Sequence, residues 1–585
     1  MIRKLVRQML TAQILSSLTV SLCLMIDSIM IGRFLGEEAI AAYGLANPVL
    51  LFIGAIGSLL ASGIQVVCAR SLGRGSREET DAGFSSALAL AAAVSVTFTA
   101  AVLLLRDPLA AVLGAGGAGA LHGQTAGYLA GFSLGAPFSM GALVLVPFLQ
   151  MAGESTLLIA AVLSMTVTDV ALDLLNVTVF HGGMFGMGLA SSVSYLVAVA
   201  VSLTYFLSRR NVFRFSRRLV TGKKLAELLK GGLPAGVSMA SGVLLVFVMN
   251  RILQTAGGNA AVAAFAVVST VGNVGGCIVT GTGGVSLTLS GIFYHEEDRA
   301  ALRELIRLLC RSSAVLGLAV GAALVLAAPA AVGLFIPEAG EARTMAVLGL
   351  RLFSAGLIPC CVNAALKNLY LATGRVTLSE ILSLAEGAVM PALSALILSL
   401  CFGTDGVWLY YAAGQLLTLT CLGLYIRRKT GQAPWRGDAC LLLRDDFGVK
   451  PEDLMETEIR SLREVSEAAQ AAERFCRQHG QSERTANRMA LCIEEMAGNI
   501  VEHGFPQGKG PHHLSVRVLL KPGYWVLRFR DDCRAFDPVH YVPAEGQESL
   551  GIRLVLALAE EANYTYSLNL NNLTLRLRPD AQSGE

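Results

Sequence analysis

The sequence predicts an all-α polytopic membrane protein with twelve transmembrane helices in two six-helix lobes, followed by a C-terminal α+β sandwich. Three observations predict this architecture. Of the 585 residues, 54% are hydrophobic and 15% are charged, and the mean hydropathy of +0.59 is too high for a soluble protein of this length. Apolar runs of about 20 residues recur up to residue 426. Beyond that point the composition becomes charged, as in a soluble domain.

Twelve apolar stretches are long enough to cross a bilayer as helices. They lie at about 12–34, 45–69, 82–105, 123–150, 156–180, 184–208, 233–256, 261–293, 311–335, 347–372, 377–402 and 405–426.

Basic residues are concentrated in alternate connections between these spans, and the remaining connections hold little beyond Arg33, Arg106 and Arg343. The basic connections contain Arg3, Lys4, Arg7, Arg70, Arg74, Arg77, Arg209, Arg210, Arg214, Arg217, Arg218, Lys223, Lys224, Arg299, Arg303, Arg307, Arg311, Arg427, Arg428 and Lys429. Cytoplasmic loops carry an excess of Lys and Arg. The asymmetry therefore predicts a multi-pass protein of the plasma (inner) membrane with both termini in the cytoplasm.

The membrane part contains an internal repeat. Three short motifs recur at offsets of 222, 221 and 220 residues, namely GEEAIAAYG (Gly36–Gly44) with GNAAVAAFA (Gly258–Ala266), QMAGES (Gln150–Ser155) with LATGRV (Leu371–Val376), and FGMGLA (Phe185–Ala190) with DGVWLY (Asp405–Tyr410). Parallel repeats of this kind suggest a cavity between two lobes that can open to either side. The predicted domains are a first lobe at 1–208, a basic cytoplasmic linker at 209–230, a second lobe at 231–426, a short polar linker at 427–437 and a soluble domain at 438–585.

Three carboxylates lie inside the predicted spans of the first lobe. Asp27 interrupts the otherwise uncharged run from Ile14 to Gly32. Asp169 and Asp173 lie four residues apart in the fifth span, on one face of a helix. A carboxylate inside a bilayer is costly, so a chain that keeps one usually uses it. Three carboxylates in one bundle can hold a cation or share protons.

The second half lacks these acids, because Met249 and Leu393 stand near the positions equivalent to Asp27 and Asp173. We therefore expect cation chemistry in the first lobe. In an alternative interpretation, the aspartates cap a broken helix or pair with a buried Arg or Lys. Glu386, in the middle of the eleventh span, is a second candidate site. Lys367 lies near the end of a span and is expected to snorkel to the interface.

Several motifs resemble those of the MATE family of multidrug and toxic-compound extrusion transporters, over residues 1 to about 430. The motifs are DSIMIGRFLGEEAIAAYGLANPV (Asp27–Val49), ASGIQVVCARSLGRGS (Ala61–Ser76), QMAGES (Gln150–Ser155), ALKNLYLATGRVTLSEILSL (Ala365–Leu384) and GTDGVWLYYAAGQLLTL (Gly403–Leu419). The resemblance implies a MATE-like fold and cation-coupled export, in which H⁺ or Na⁺ enters through an acidic site in the first lobe while a bulky, often cationic or lipophilic compound leaves. A flippase for a lipid-linked precursor, from the same wider superfamily, is the alternative transport function.

The resemblance also implies roles for four residues in the coupling site. Asp27 and Asp173 match acidic positions of the family. Asp169 stands where the family usually has Asn, and Ser191 falls where the sixth span often carries Thr, which is also a hydroxyl ligand. A carboxylate in place of an amide should raise the proton affinity of the site. The choice between H⁺ and Na⁺ therefore stays open.

The tail from Asp438 onward has the composition and patterning of a soluble α+β domain. It holds 23 acidic and 17 basic residues, which leaves 20 acidic and 29 basic residues in the rest of the chain. Glu458–Gly480 and Arg484–Phe505 have helical apolar spacing. LSVRVLL and WVLRFRD alternate as strands around KPGY, and YTYSLNLNNLTLRL is expected to form a closing hairpin with Asn571 and Asn572 in its turn.

Three motifs of this tail resemble the GHKL ATP-binding fold, most closely its anti-sigma-factor serine kinase branch. They are IEEMAGNIVEHG, RDDCRAFDP (Arg530–Pro538) and ESLGIRLVLALAEEANY. The resemblance implies that Asn499 ligates a Mg²⁺ on the phosphates of ATP and that Glu495, four residues earlier on the same helix, is the general base. It further implies that Asp531 accepts from the adenine amino group and that backbone N–H groups at Gly551 meet phosphate.

Two departures from the GHKL pattern bear on ATP binding. Cys533 stands where the first loop of the family has Gly, and the glycine-rich lid is reduced to Gly546 and Gly551. These departures predict weak ATP binding and still weaker kinase activity.

Together these observations predict a cation-coupled exporter with a cytoplasmic nucleotide-binding regulatory domain. The second hypothesis is a membrane-anchored serine kinase or nucleotide sensor whose partner is a protein like an anti-sigma-factor antagonist. The acids confined to one lobe and the complete internal repeat favour the exporter, because a membrane anchor needs neither buried acids nor a repeat. We expect no nucleic-acid partner.

Overall fold

The computed structural model describes residues 2–74, 76–113, 115, 119–208, 211–336, 340–436, 438–444, 447–507, 512–541 and 550–578. Up to Thr430 the described chain is helical, as its apolar runs predict. The helices of this membrane part are α1 (Ile2–Met30), α2 (Glu37–Gly73), α3 (Arg77–Val112), α4 (Ala120–Ser133), α5 (Ala136–Ala152), α6 (Ser155–Leu175), α7 (Gly183–Phe206), α8 (Gly222–Gly275), α9 (Cys277–His295), α10 (Arg299–Phe335), α11 (Glu341–Ser354), α12 (Leu357–Ala372), α13 (Val376–Leu384), α14 (Met390–Val407) and α15 (Tyr410–Thr430).

The number of spans agrees with the prediction only in part. Among the described residues, eight helices are long and apolar enough to cross a membrane, and up to ten if each bent helix pair forms one span. The helices α1 and α15 occupy the predicted first and twelfth spans but lie outside this count. The chain is therefore a multi-pass membrane protein, with fewer qualifying helices than the twelve expected.

The repeat seen in the sequence has a counterpart in the backbone. In each half, a helix pair bends at a short break, by 47° between α4 and α5 and by 48° between α11 and α12. Left-handed glycines also recur at the offsets of the three motifs: Gly36 (φ 90°) with Gly258 (63°), Gly153 (82°) with Gly374 (81°), and Gly183 (58°) with Gly403 (63°). Only glycine adopts such φ values without strain. The repeated motifs thus mark repeated breaks between helices.

The two halves of the membrane part pack closely at one end, here called the basic end, where Arg70, Arg74, Arg299 and Arg303 lie. A Cβ atom at Gly73 of α2 would lie 2.6 Å from the carbonyl oxygen of Ile292 in α9. Farther along α2, a Cβ atom at Gly63 would lie 2.0 Å from the carbonyl oxygen of Leu228 in α8. The backbones therefore approach too closely for any side chain between them.

The C-terminal domain is a two-layer α+β sandwich, as predicted. Its antiparallel sheet has the order β1-β2-β3-β5-β4, formed by β1 (Leu454–Ile459), β2 (Leu514–Lys521), β3 (Tyr524–Asp531), β4 (Glu561–Ser567) and β5 (Leu570–Leu577). The helices are α16 (Leu462–Gln478), α17 (Glu483–Asn499) and α18 (Leu550–Leu558). Ser461 and Ser482 cap the first two helices by accepting backbone N–H groups. The apolar face of the sheet, with Trp525 and Phe529, packs against the helices.

The turn of the last hairpin differs from the prediction. Leu568 and Asn569 form the turn, each with a positive φ (58° and 60°), which matches the twist of the two strands. Asn571 and Asn572 lie in β5 and are buried. The Asn-Asn pair suggested a turn because this residue type tolerates left-handed backbone, but here the two amides make specific hydrogen bonds.

Residues between the last membrane helix and the sheet belong structurally to the membrane part. Leu441 and Leu442 are buried in its main apolar cluster, and the hydroxyl of Tyr370 donates to the carbonyl oxygen of Cys440 (2.8 Å). The sheet itself begins at Leu454.

Candidate cation and nucleotide sites

The four residues predicted for the coupling site come from three helices of the first half. Asp27 lies on α1, Asp169 and Asp173 lie on α6, and Ser191 lies on α7. All four are buried, and Asp173 is fully inaccessible. The spacing of four residues on α6 places both aspartates on one face of the helix. Because α6 packs against α1 and α7 and both aspartates are buried, this face points inward, towards those helices.

The three carboxylates are close enough to interact electrostatically. Asp27 and Asp173 face each other, and Ser191 and Ser194 face Asp169. Neither oxygen of Asp173 has a hydrogen-bond donor among the described residues, and one oxygen each of Asp27 and Asp169 also has none. Buried polar atoms without partners are costly, so these oxygens form a site suited to a proton or a small cation.

The alternative structural roles of these aspartates find no support in the geometry. In the described part of the chain, no salt bridge joins any of the three to an Arg or Lys. The capping role near the end of α6 falls to Asn176, whose amide donates to the carbonyl oxygen of Gly183 (3.0 Å) and accepts from the N–H of Gly182 (3.1 Å).

Sequence reasoning missed the tyrosines beside this site. Tyr43 on α2 and Tyr195 on α7 both interact electrostatically with Asp27 and Asp169. The spacing of Tyr195, four residues after Ser191 on the same helix, could have indicated it.

The second half has a different polar arrangement. Met249 is buried and Leu393 is half-exposed, so neither equivalent position supplies an oxygen ligand. Glu386 forms a partly buried ion pair with Lys367, whose ammonium group also donates to Ser238 (3.4 Å). The expectation that Lys367 snorkels is therefore wrong, because a carboxylate at the same depth holds its ammonium group.

In the C-terminal domain, two of the predicted nucleotide-site residues are in contact. Glu495 lies on α17, and a Cβ atom at Gly551 would lie 1.9 Å from its carboxylate oxygen Oε2. Gly551 is in the first turn of α18, so the carboxylate occupies the N-terminal end of a helix, where an anion is favoured. Asn499 is the last residue of α17, one turn beyond Glu495.

Asp531 lies at the end of β3 and is buried. Its Oδ1 atom accepts from the backbone N–H of Cys533 (3.0 Å) and from the amide of Asn571 (2.7 Å). Burial raises the pKa of Asp531 above its ordinary value. Asn571 also accepts from the hydroxyl of Tyr564 (2.6 Å) and was missed because it was assigned to a turn. This network fixes a carboxylate that could accept from an adenine amino group.

Cys533 fits its position without backbone strain. Its φ lies outside the left-handed region, and its buried side chain packs near Gly504. The replacement of the family's Gly by Cys533 therefore causes no backbone strain in this loop, and weak ATP binding stays a prediction. Among the described residues, His512, Asp532 and Cys533 each bring one potential metal-ligand atom within 4.8 Å of the others. A hydrogen bond between His512 Nδ1 and Asp532 Oδ1 (3.1 Å) accounts for part of this proximity.

Comparison with known proteins agrees with this division of the chain. Residues 12–175 match the MatE family model, and residues 460–577 match the model of the histidine kinase-like ATPase domain. No curated protein matches the sequence.

Solved structures of MATE transporters share the fold of the membrane part. One is a MATE protein in the straight conformation (TM-score 0.67, 22% identity), and another is a MATE protein in the bent conformation (TM-score 0.66, 23% identity). A third is a MOP superfamily transporter from Pyrococcus furiosus, described with a binding pocket of reversed polarity (TM-score 0.67, 22% identity). Each match covers 73% of this chain and 95–96% of the solved chain.

Proposed function

We propose that this chain, which joins a MatE domain to a histidine kinase-like ATPase domain, is a secondary antiporter that exports organic compounds in exchange for H⁺ or Na⁺. The observation that carries the proposal is the set of three buried carboxylates in the first half, whose oxygens include four without a hydrogen-bond donor. Hard oxygen ligands suit Na⁺, and adjacent carboxylates suit a shared proton.

The exported compound is expected to be cationic or lipophilic and to enter between two six-helix lobes. The backbone repeat supports such a two-lobe arrangement, because both halves have the same left-handed glycines and the same bent helix pair. The excess of basic residues in alternate connections supports insertion in the plasma membrane with both termini in the cytoplasm.

The C-terminal domain is proposed to bind ATP with Mg²⁺ and to regulate transport. Asp531 would hold the adenine, and Asn499 would hold the Mg²⁺ of the bound Mg·ATP. Bound Mg·ATP would bring its phosphates to the start of α18, where the carboxylate of Glu495 now lies.

A serine kinase is the second candidate function. The position of Glu495 beside Gly551 favours it, because a general base is needed near the terminal phosphate. Its substrate would be a serine-containing protein like an anti-sigma-factor antagonist.

Reconstitution in proteoliposomes tests the transport proposal. Uptake of a fluorescent organic cation would be measured under a H⁺ gradient alone, a Na⁺ gradient alone and no gradient. We expect uptake driven by one of the two gradients. Protein-free liposomes are the control. Equal uptake in all three conditions by liposomes that contain the protein would contradict the proposal.

A further inference from the structure

The ATPase-like domain is docked on the basic end of the membrane part through a charged surface. The face of its sheet opposite the helices carries Arg517, Lys521, Arg528 and Arg530. These residues meet the acidic turn, defined here as Glu296, Glu297 and Asp298 between α9 and α10.

The contacts pair each acid of this turn with a basic side chain. Arg517 pairs with Asp298, and Lys521 pairs with Glu297. Arg530 pairs with Glu296 (2.5 Å), and both side chains are over nine-tenths buried. Because a buried charge left without a partner is costly, the Arg530–Glu296 pair ties the domain to this turn.

The acidic turn is also part of the membrane fold. Asp298 caps α10 by accepting the backbone N–H of Ala301 (2.9 Å) through Oδ1, while Oδ2 faces Arg517. Burial acts to raise the pKa of Asp298, but the guanidinium groups of Arg517 and Arg530 and the N–H of Ala301 together outweigh burial and hold that pKa below its ordinary value. A change in the docked domain therefore acts directly on the first turn of α10.

The same domain also holds the first half of the membrane part. The turn of its last hairpin inserts at the α5–α6 connection, where the N–H of Leu568 donates to the carbonyl oxygen of Met151 (2.9 Å) and the amide of Asn569 donates to that of Gly153 (2.9 Å). Asp537 lies 3.9 Å from Arg77 at the start of α3. The domain thus bridges α3 and the α5–α6 connection of one half with the acidic turn of the other.

We infer that the ATPase-like domain is a clamp that keeps the basic end of the transporter closed, and that this end opens only when the domain releases one of the two halves. The inference rests on the proposed transport function, because a transporter that alternates access must separate its halves at each end in turn. The close packing of α2 against α8 and α9 shows that the clamped end is closed. A tether alone would need contact with only one half.

The clamp is connected to the nucleotide site through two adjacent strands. In β3, Arg530 points to the acidic turn, and the next residue, Asp531, points into the nucleotide site. In β5, the residues opposite them repeat this arrangement: Asn572 accepts from Arg530 Nε (2.6 Å), and Asn571 donates to Asp531 (2.7 Å). On both strands, the residue at the nucleotide site is therefore the immediate neighbour in sequence of a residue at the clamp.

Distance measurements between spin labels on the full-length protein in nanodiscs test the clamp without any transported compound. One label pair, Glu79→Cys with Arg307→Cys, reports the separation of the two halves at the basic end, since both residues are exposed. A second pair, Glu79→Cys with Arg463→Cys, reports undocking of the domain. The exposed Cys401 and Cys421 are replaced by Ser in both.

The test variant combines Glu296→Gln with Asp298→Asn, and Asn retains the ability to cap α10. The control is Glu304→Gln, which removes an acid of α10 that faces Arg3 outside the clamp. The clamp predicts one short distance in the wild type and control, and an additional longer distance for both label pairs in the double variant. If the domain stays docked in the double variant, a second variant that combines Arg517→Glu with Arg530→Glu is used instead, because its glutamates repel the acidic turn.

Undocking without separation of the two halves would overturn the clamp, as would a single short distance between the halves in both variants. These outcomes are distinct from failure of the transport proposal, in which the halves separate but no compound moves along an ion gradient.

Titration with a fluorescent ATP analogue tests the connection to the nucleotide site. Allosteric coupling predicts that the double variant changes Kd by about fivefold or more, and an unchanged Kd would exclude it.

Discussion

Asp173 is fully buried, and its two oxygens accept no hydrogen bond from any described residue. A carboxylate in that setting is expensive unless a proton or cation binds it. Asp27 faces it from another helix, so the two form one site rather than two independent charges. We therefore propose that these two carboxylates are kept because they bind the coupling ion.

Neutralising either residue should abolish export. We predict that Asp27→Asn and Asp173→Asn eliminate efflux of a fluorescent organic cation from cells while the protein still reaches the membrane, because each amide removes the charge that binds the coupling ion. The matched control is Asp107→Asn, which changes an exposed acid at the end of α3. Efflux close to that of the wild type from either buried variant would refute the assignment.

Asp169→Asn should behave differently. This change restores the residue usual in the resembling family and leaves Asp27 and Asp173 in place. We predict that transport persists with a shifted pH optimum, because removing one of three neighbouring like charges changes the proton affinity of the site. Initial rates measured across a range of pH would show it, and complete loss of transport would mean that this chain depends on Asp169 itself.

The nucleotide site should respond to two substitutions in distinct ways. We predict that Asn499→Ala weakens Mg·ATP binding to the full-length protein about tenfold, since a lost contact to a charged group is worth about 1.5–3 kcal/mol. Asp531→Asn should weaken the binding of ATP and of ADP alike, because both contain the adenine.

The nucleotide affinity of the wild type should also depend on pH. Because burial raises the pKa of Asp531, this affinity should begin to fall at a higher pH on acidification than it would with an aspartate of ordinary pKa. Calorimetry measures each effect, and nucleotide binding unchanged in both variants would place the site elsewhere.

At the scale of elements, the repeated glycines define where helices break. Gly374 and Gly153 have nearly the same φ, but only Gly153 contacts the hairpin turn of the ATPase-like domain. We predict that Gly374→Ala costs about 1–2 kcal/mol of backbone strain, whereas Gly153→Ala costs more and weakens docking, because its Cβ atom would lie 2.6 Å from Leu568. Thermal unfolding of the two variants compares them, and equal losses would show that the hairpin contact contributes nothing.

The sequence predicted elements better than the breaks within them. Apolar runs located the membrane helices, but the bends between α4 and α5 and between α11 and α12 were missed because apolar composition continues through both. Asn571 was assigned to a turn because Asn-Asn is typical of turns, whereas burial in β5 makes it a partner of Asp531. Local patterns cannot show which polar residue faces a buried carboxylate on another strand.

For the whole molecule, the sequence predicted both parts but not the interface between them. In β2 and β3, Arg517, Arg528 and Arg530 alternate with apolar residues, which is the pattern of a sheet with one solvent-facing side. The structure places the acidic turn against that side. The acidic turn comes from a loop of the membrane part some 220 residues earlier in the chain. Hydrophobic periodicity describes local structure, so it cannot predict a contact over that separation.

The central claim is that export is coupled to a cation bound by the acidic site of the first half. Its most direct test is ion movement driven by substrate, measured in proteoliposomes that contain a pH-sensitive dye or a Na⁺ indicator. A downhill gradient of the organic cation should drive H⁺ or Na⁺ in the opposite direction with wild-type protein and with Asp107→Asn, and should drive neither ion with Asp173→Asn. Movement of the organic cation without opposing movement of either ion, or undiminished ion movement in Asp173→Asn, would contradict the account.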